Sequence, residues 1–599
     1  MFWCKKRKNC VDFTLRTRII LCAKAENFIN SHNSKSAVRG LQITPGIAQS
    51  LRYKGGETMS ADKLYVNGDI YTVNKAPEWV EAVAVEGKKI IFAGDRADAE
   101  KYCGDSTEIC DLDGKMMLPG FIDGHCHPVL AAHVLSGIVF DIEWTLEECL
   151  AEIRRYVDEH PDNKTYFGLG YAEWMFDEHG PRKELLDDIC SDKPMFMMGS
   201  GGHEGWGNSC CFREAGITKD TPDPLPGLHY FSRDEEGEPA GHIVEGRSEA
   251  LILSKINFFH EETVTNLMLE NSAGYAAMGV TGTADMGMYS YLEDQYYAAI
   301  DKVRASGKYL QRFAGCTCHV EDPGAVDGRI AALLKAREKY DDDLFRMNFL
   351  KIINDGTMES RTAALSEPYP EDGSVVEPLM DEEVAAEAGL KAAKAGLDIN
   401  MHAIGDVAVK SVVAMAKAVR EAGYDDCRIT CSHSQYIAPD DIPLFGRYDI
   451  VANATGVWFY GNPLMDKVLG HINNETFRMR SLIDGGAKMA LGSDFPVDEY
   501  GREPLKSIEM CATRRMYGQH DAPVLEPADE VTTVKEAIEG FTINNAYQMH
   551  MDDVTGSIEA GKYADFVILE ENILKIPLER IHEVKVCETV MDGKTTYRA

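Results

Sequence analysis

From Met59 onward, short apolar runs alternate with stretches long enough to be helices. Eight of these runs read as buried strands: residues 121–127, 280–285, 312–318, 349–354, 397–402, 428–433, 449–453 and 488–494. Strand–helix alternation repeated eight times predicts a parallel sheet closed into a (β/α)8, TIM-like barrel. Both ends of this region show a different pattern. Residues 64–73, 82–85 and 89–94 form strand–turn–strand units with Glu86-Gly87 as one turn, and residues 566–569 and 584–594 do the same near the end of the chain. These predict one composite β-sandwich domain, residues 59–116 and 553–599, flanking a barrel over residues 117–552. The gap between the first two barrel strands, about residues 130–275, is too long for a plain crossover and predicts an inserted lid or subdomain. The strand-like runs 166–171 and 195–200 inside it could instead belong to the barrel.

Residues 1–58 break the pattern. They carry 11 Lys/Arg against 3 Asp/Glu and no sustained periodicity. A basic targeting arm is one reading. The other follows from the genetic code: Lys54-Gly55-Gly56-Glu57-Thr58, just before Met59, can be encoded by a purine-rich ribosome-binding sequence. Met59 is therefore expected as the natural start, with 1–58 a non-native or disordered extension.

A net charge of −35 over 599 residues disfavours nucleic-acid phosphates as partners. The longest apolar runs fall short of a membrane span. The 16 cysteines show neither a disulfide framework nor a zinc-finger spacing, which points to reduced thiols in a cytoplasmic protein. The expected partner is a small-molecule substrate, with a homodimer among the assemblies the chain could form.

Candidate chemistry sits at the ends of the predicted strands. His125 and His127 are spaced i, i+2 at the end of the first, so strand geometry lets both reach one metal ion. Lys351, His402, His433 and Asp494 follow, each in or at the end of its own run, and in a barrel these ends converge on one rim. Neutral imidazoles suit Zn²⁺ or a similar divalent ion, and six ligands suffice for one or two ions. Asp494 can ligate the ion or move a proton from water to a leaving group. Lys351 cannot bind a cation while protonated. Burial can lower its pKa until the neutral amine reacts with CO₂, giving a carbamate able to bridge two ions. Its alternative role is an ion pair with Asp355 or with a substrate carboxylate.

The stretches 118–128, 351–369, 402–406, 491–497 and 556–565, with His433, resemble the amidohydrolase superfamily, specifically its family-3, YtcJ-like branch of metal-dependent hydrolases. The resemblance runs from about residue 62 to the C-terminus. It implies the barrel, the composite β-domain, one or two metals, and hydrolysis of a C–N bond other than a peptide bond, including N-substituted formamides. His402 is followed by Ala403-Ile404-Gly405, and no arginine stands two residues after His127, so nucleobase deamination and cyclic ureide opening both lose weight. Isomerisation or decarboxylation on the same scaffold, or a non-catalytic regulatory role, are the alternatives. The segment 201–209 also resembles a family stretch near the substrate, which would place His203, Trp206 and Asn208 in the pocket. Arg361 could orient an anion.

Overall fold

The computed structural model describes residues 60–599 apart from Ile142, Glu178, Gly201, His203, Leu225, Gly227, Leu228, Thr317, Glu321 and Glu499, together with the backbone but not the side chains of Glu173, Leu464 and Tyr500. The expectation for residues 1–58 lies outside the described residues.

Eight parallel strands follow one another in chain order: β1 (Phe121–Cys126), β2 (Val280–Asp285), β3 (Arg312–Gly315), β4 (Phe349–Ile353), β5 (Asp398–Ala403), β6 (Ile429–His433), β7 (Ile450–Thr455) and β8 (Lys488–Gly492). Their residues are fully or nearly fully buried, as expected of strands covered on both faces. Ladder pairing joins β1 to β3 and a short strand, Phe345–Met347, in one sheet and β4 to β8 in another. Backbone hydrogen bonds stitch both seams. Val320 N–H donates to Lys351 O at 2.8 Å beside β4, and Asp494 N–H donates to His125 O at 2.7 Å where β8 meets β1. The strands therefore close into a ring. Gly492 is required at the second seam, since a Cβ there would lie 2.5 Å from the backbone nitrogen of His125.

The segment between β1 and β2 builds its own six-stranded sheet from residues 138–244. Tyr166–Tyr171 and Met195–Gly199 pair with each other inside it, so neither is a barrel strand.

Strands from both ends of the chain share one eight-stranded sheet, in which Phe566–Leu569 pairs with Met116–Pro119. Tyr65, Val85, Ile90, Phe566 and Val590, drawn from both halves of that sheet, bury into a single core. Both ends of the chain thus contribute to one sheet, as the strand patterns at the two ends lead one to expect. It is tied to the ring by a buried ion cluster: Arg312 Nε donates to Asp565 Oδ2 at 2.7 Å and Arg312 Nη2 to Asp565 Oδ1 at 3.0 Å. Arg312 sits on β3, Asp565 at the end of the 556–565 stretch.

Candidate metal centre

The C-terminal ends of β1, β5, β6 and β8 bring four histidines and one aspartate together. Asp494 Oδ1 lies 3.4 Å from Nε2 of both His125 and His127. The ligand atoms of His125, His433 and Asp494 all fall within 4.8 Å of one another. The His433 ring is 4.7 Å from that of His125 and 4.5 Å from that of His402. All of these residues are buried or nearly so.

Strand alternation alone does not produce this arrangement. Ser432 points into the ring, where it contacts Lys351, so its neighbour His433 would face the other way. A left-handed turn at His433 (φ 74°) and Ser434 (φ 42°) re-aims the imidazole, and Asp494 has the same conformation (φ 54°). Non-glycine residues in this region are strained, and such strain concentrates at functional sites. Asp123 holds the β8 turn: its carboxylate accepts from Ser493 N–H at 2.9 Å and from Ser493 Oγ–H at 2.6 Å. Burial raises Asp123 to a pKa of about 6.

Two hydrogen bonds fix which ring nitrogens carry lone pairs. His127 Nδ1 lies 3.0 Å from Gly287 O, and His402 Nε2 lies 3.2 Å from Gly356 O. A carbonyl only accepts, so those nitrogens carry the protons and the opposite ones are free to ligate. Asp285 supports the first contact by accepting from Gly287 N–H at 2.9 Å. Burial, followed by the positive charge of Lys351, pushes His125 well below the ordinary imidazole pKa and His402 to about 3. Burial and then His402 do the same to His433. These rings are neutral at physiological pH, the form a metal requires. Nδ1 of His125 and of His433 is buried with no hydrogen-bond partner. Orphaned buried nitrogens of this kind are costly in a folded protein. One nitrogen each of His125 and His433 and one oxygen of Asp494 lie within 4.8 Å of one another, a donor set that fits a divalent cation.

Lys351 lies inside the ring at 1% exposure. Its Nζ donates to Asn400 Oδ1 at 3.0 Å and Ser432 Oγ at 3.4 Å. Burial lowers its pKa to about 8. The ion pair with Asp355 is not formed, because that carboxylate accepts instead from the backbone N–H groups of Ala364, Ile404 and Gly405.

The expected substrate contacts fare differently. Trp206 is fully buried against Tyr171 and Phe176 within the inserted sheet, and its indole N–H donates to Arg182 O at 2.8 Å. Asn208 caps a helix by accepting from Cys211 N–H, and its amide donates to Cys190 O and Lys193 O. Both side chains spend their polar groups on backbone partners within the insertion. Arg361 pairs with Glu371 at 2.8 Å and Asp372 at 3.1 Å within its own loop. His203 lies outside the described residues.

Two further rings, His319, for which the sequence suggested only a structural role, and Trp458, stand beside these histidines. The His319 ring is 5.9 Å from that of His127, and Trp458 stacks on His433 at 5.7 Å. Neither belongs to a recognisable motif. The one available signal was position, a few residues past a predicted strand.

Comparison with known proteins agrees with this architecture. A putative hydrolase of Bacillus subtilis, the amidohydrolase YtcJ, is 28% identical over 89% of this chain and 99% of its own. The N-substituted formamide deformylase of Arthrobacter pascens is 27% identical over 90% of this chain and 99% of its own. The exoenzymes regulatory protein AepA of Pectobacterium carotovorum is 30% identical over 69% of this chain and 86% of its own. Among solved structures, an uncharacterised metal-dependent hydrolase of Pyrococcus horikoshii superposes with a TM-score of 0.70 at 21% identity, covering 86% of this chain and 99% of that one. The amidohydrolase family model matches residues 108–597, and the chain belongs to amidohydrolase family 3.

Proposed function

We propose that this protein is a metal-dependent hydrolase of an amide or N-substituted formamide, cleaving a C–N bond other than a peptide bond with water. The observation that carries the reading is the buried trio His125, His433 and Asp494, whose ligand atoms lie within 4.8 Å of one another. His127 and His402 complete the donor set, and Lys351, as a carbamate, would bridge a second ion. A bound divalent ion such as Zn²⁺ would polarise the substrate carbonyl and lower the pKa of water from about 15.7 to about 7.

The remaining chemistry falls to side chains. Asp494 accepts the proton of the attacking water at Oδ1 and delivers it to the departing amine nitrogen. The hydrogen bonds from His127 to Gly287 and from His402 to Gly356 hold those rings in place, so no reorganisation is needed during the reaction. The ring of eight strands, the inserted sheet and the sheet shared by both termini are read as barrel, insertion and composite β-domain, with boundaries near residues 117, 130–275 and 553. No disulfide joins the described cysteines, which supports a reducing, cytoplasmic setting, and no described helix is long and apolar enough to cross a membrane.

The likeness to a regulatory protein favours one second reading, a non-catalytic role on the same fold. The intact ligand set supports catalysis instead. Turnover of N-substituted formamides in ¹⁸O-water tests the choice: hydrolysis places solvent oxygen in the released formate. Product without solvent oxygen would mean isomerase or lyase chemistry, and a metal-replete protein inert across amide panels would mean a regulator.

A further inference from the structure

We propose that aromatic side chains at the ends of β2 and β3 form a wall that selects substrates carrying a flat aryl group. The proposal rests on the metal-dependent amide hydrolysis described above and names the substrate class for that site.

The wall begins at a candidate ligand and reaches an exposed ring, Tyr289. The His127 ring meets that of His319 edge to face, 5.9 Å apart at 80°. His319 meets Tyr289 in the same manner, at 6.0 Å and 71°. Tyr289 then stacks on Tyr291 at 5.5 Å with the planes 3° apart. Exposure rises outward, from 9% for His127 and 8% for His319 to 38% for Tyr289. A large aromatic ring exposed to this degree, linked through His319 to the candidate ligand His127, offers an aromatic surface connected to the site.

The backbone holds these rings in register. His319 N–H donates to Met288 O at 3.1 Å, Met288 and Cys318 form an isolated bridge, and Cys318 Sγ–H reaches Tyr289 O at 3.7 Å. Tyr291 packs against both the barrel core and the core of the inserted sheet, so the outer end is braced from two sides. An aryl ring sliding along the wall presents its face to Tyr289 or its edge to His319, while its carbonyl reaches toward His127. Aromatic rings prefer these offset and edge-to-face geometries, which a saturated ring of similar size cannot exploit.

The test uses the full-length, zinc-reconstituted protein and three hydroxamates sharing one metal-binding head: phenylacetohydroxamate, cyclohexylacetohydroxamate and acetohydroxamate. Calorimetry should show the phenyl compound binding about 2- to 12-fold tighter than the cyclohexyl one, the range that aromatic pairing supplies. Tyr289→Leu and His319→Leu should bring that ratio toward one, with zinc content and acetohydroxamate affinity retained. Tyr289 is partly exposed, so its variant keeps the test valid if the His319 variant misfolds. Equal affinity of the two ring compounds for the unmodified protein, or an unchanged ratio in the variants, overturns the wall and leaves the metal centre standing. Failure of all three compounds to bind overturns the metal-centre reading and the wall with it.

Discussion

Asp494→Asn separates the two jobs assigned to this carboxylate. The side chain lies 3.4 Å from two histidine nitrogens, so it is placed both to ligate and to carry a proton. Asparagine keeps its size and one ligating oxygen and tolerates the left-handed backbone at φ 54°, whereas alanine would add conformational strain to the chemical loss. What asparagine removes is the negative charge and the capacity to take a proton. A general base of this kind is worth about 10²–10⁴ in rate, which is about 2.7–5.5 kcal/mol of barrier. The expected outcome is a kcat reduced by that factor with KM within about threefold, because the base acts in the transition state and not on substrate binding. Formate release from an N-substituted formamide, measured at saturating zinc, gives the rate, and atomic emission gives the metal content. A variant with full metal and a rate within about tenfold of the parent would refute the proton-transfer role.

Lys351, with its pKa lowered to about 8 by burial, retains about a tenth of its neutral amine at pH 7. ¹³CO₂ should therefore give a carbamate NMR signal in the metal-loaded protein that Lys351→Gln lacks, and metal stoichiometry should fall in that variant. Identical spectra would remove the bridging role. His133, stacked between Phe167 and Phe259 at 5.1 Å from each, is pushed by burial from 6.5 to about 3. The folded form keeps it neutral while the unfolded chain protonates it, so stability is lost as pH falls from about 6.5 toward 3. By pH 4.5 this amounts to about 3 kcal/mol. His133→Phe should shrink the fall in urea midpoint between pH 7 and 4.5, and an undiminished fall would show that the ring is hydrated.

The eight barrel strands were legible because each is a short apolar run with both faces covered, a signal that needs no knowledge of neighbours. Of the six candidate metal residues, His125, His127, His402, His433 and Asp494 stand at or just past the ends of such runs and Lys351 stands inside one. The surroundings of Trp206 and Asn208 were not legible, for the opposite reason. A tryptophan and an asparagine in a glycine-rich segment look alike whether they face a ligand or a local core, and only the backbone partners at Arg182, Cys190 and Lys193 distinguish the two.

The sequence by itself determined the order of strands, the donor types and the spacing that lets His125 and His127 act together. The tertiary structure decided everything that depends on closure. It set β8 against β1 through Gly492, turned His433 and Asp494 inward through left-handed backbone, and tied the sheet shared by both ends of the chain to the ring through Asp565 and Arg312. The physical reason is locality. Periodicity and composition act over neighbouring residues, whereas ring closure, re-aimed side chains and buried ion pairs depend on groups hundreds of positions apart, whose energies appear only once the chain has folded.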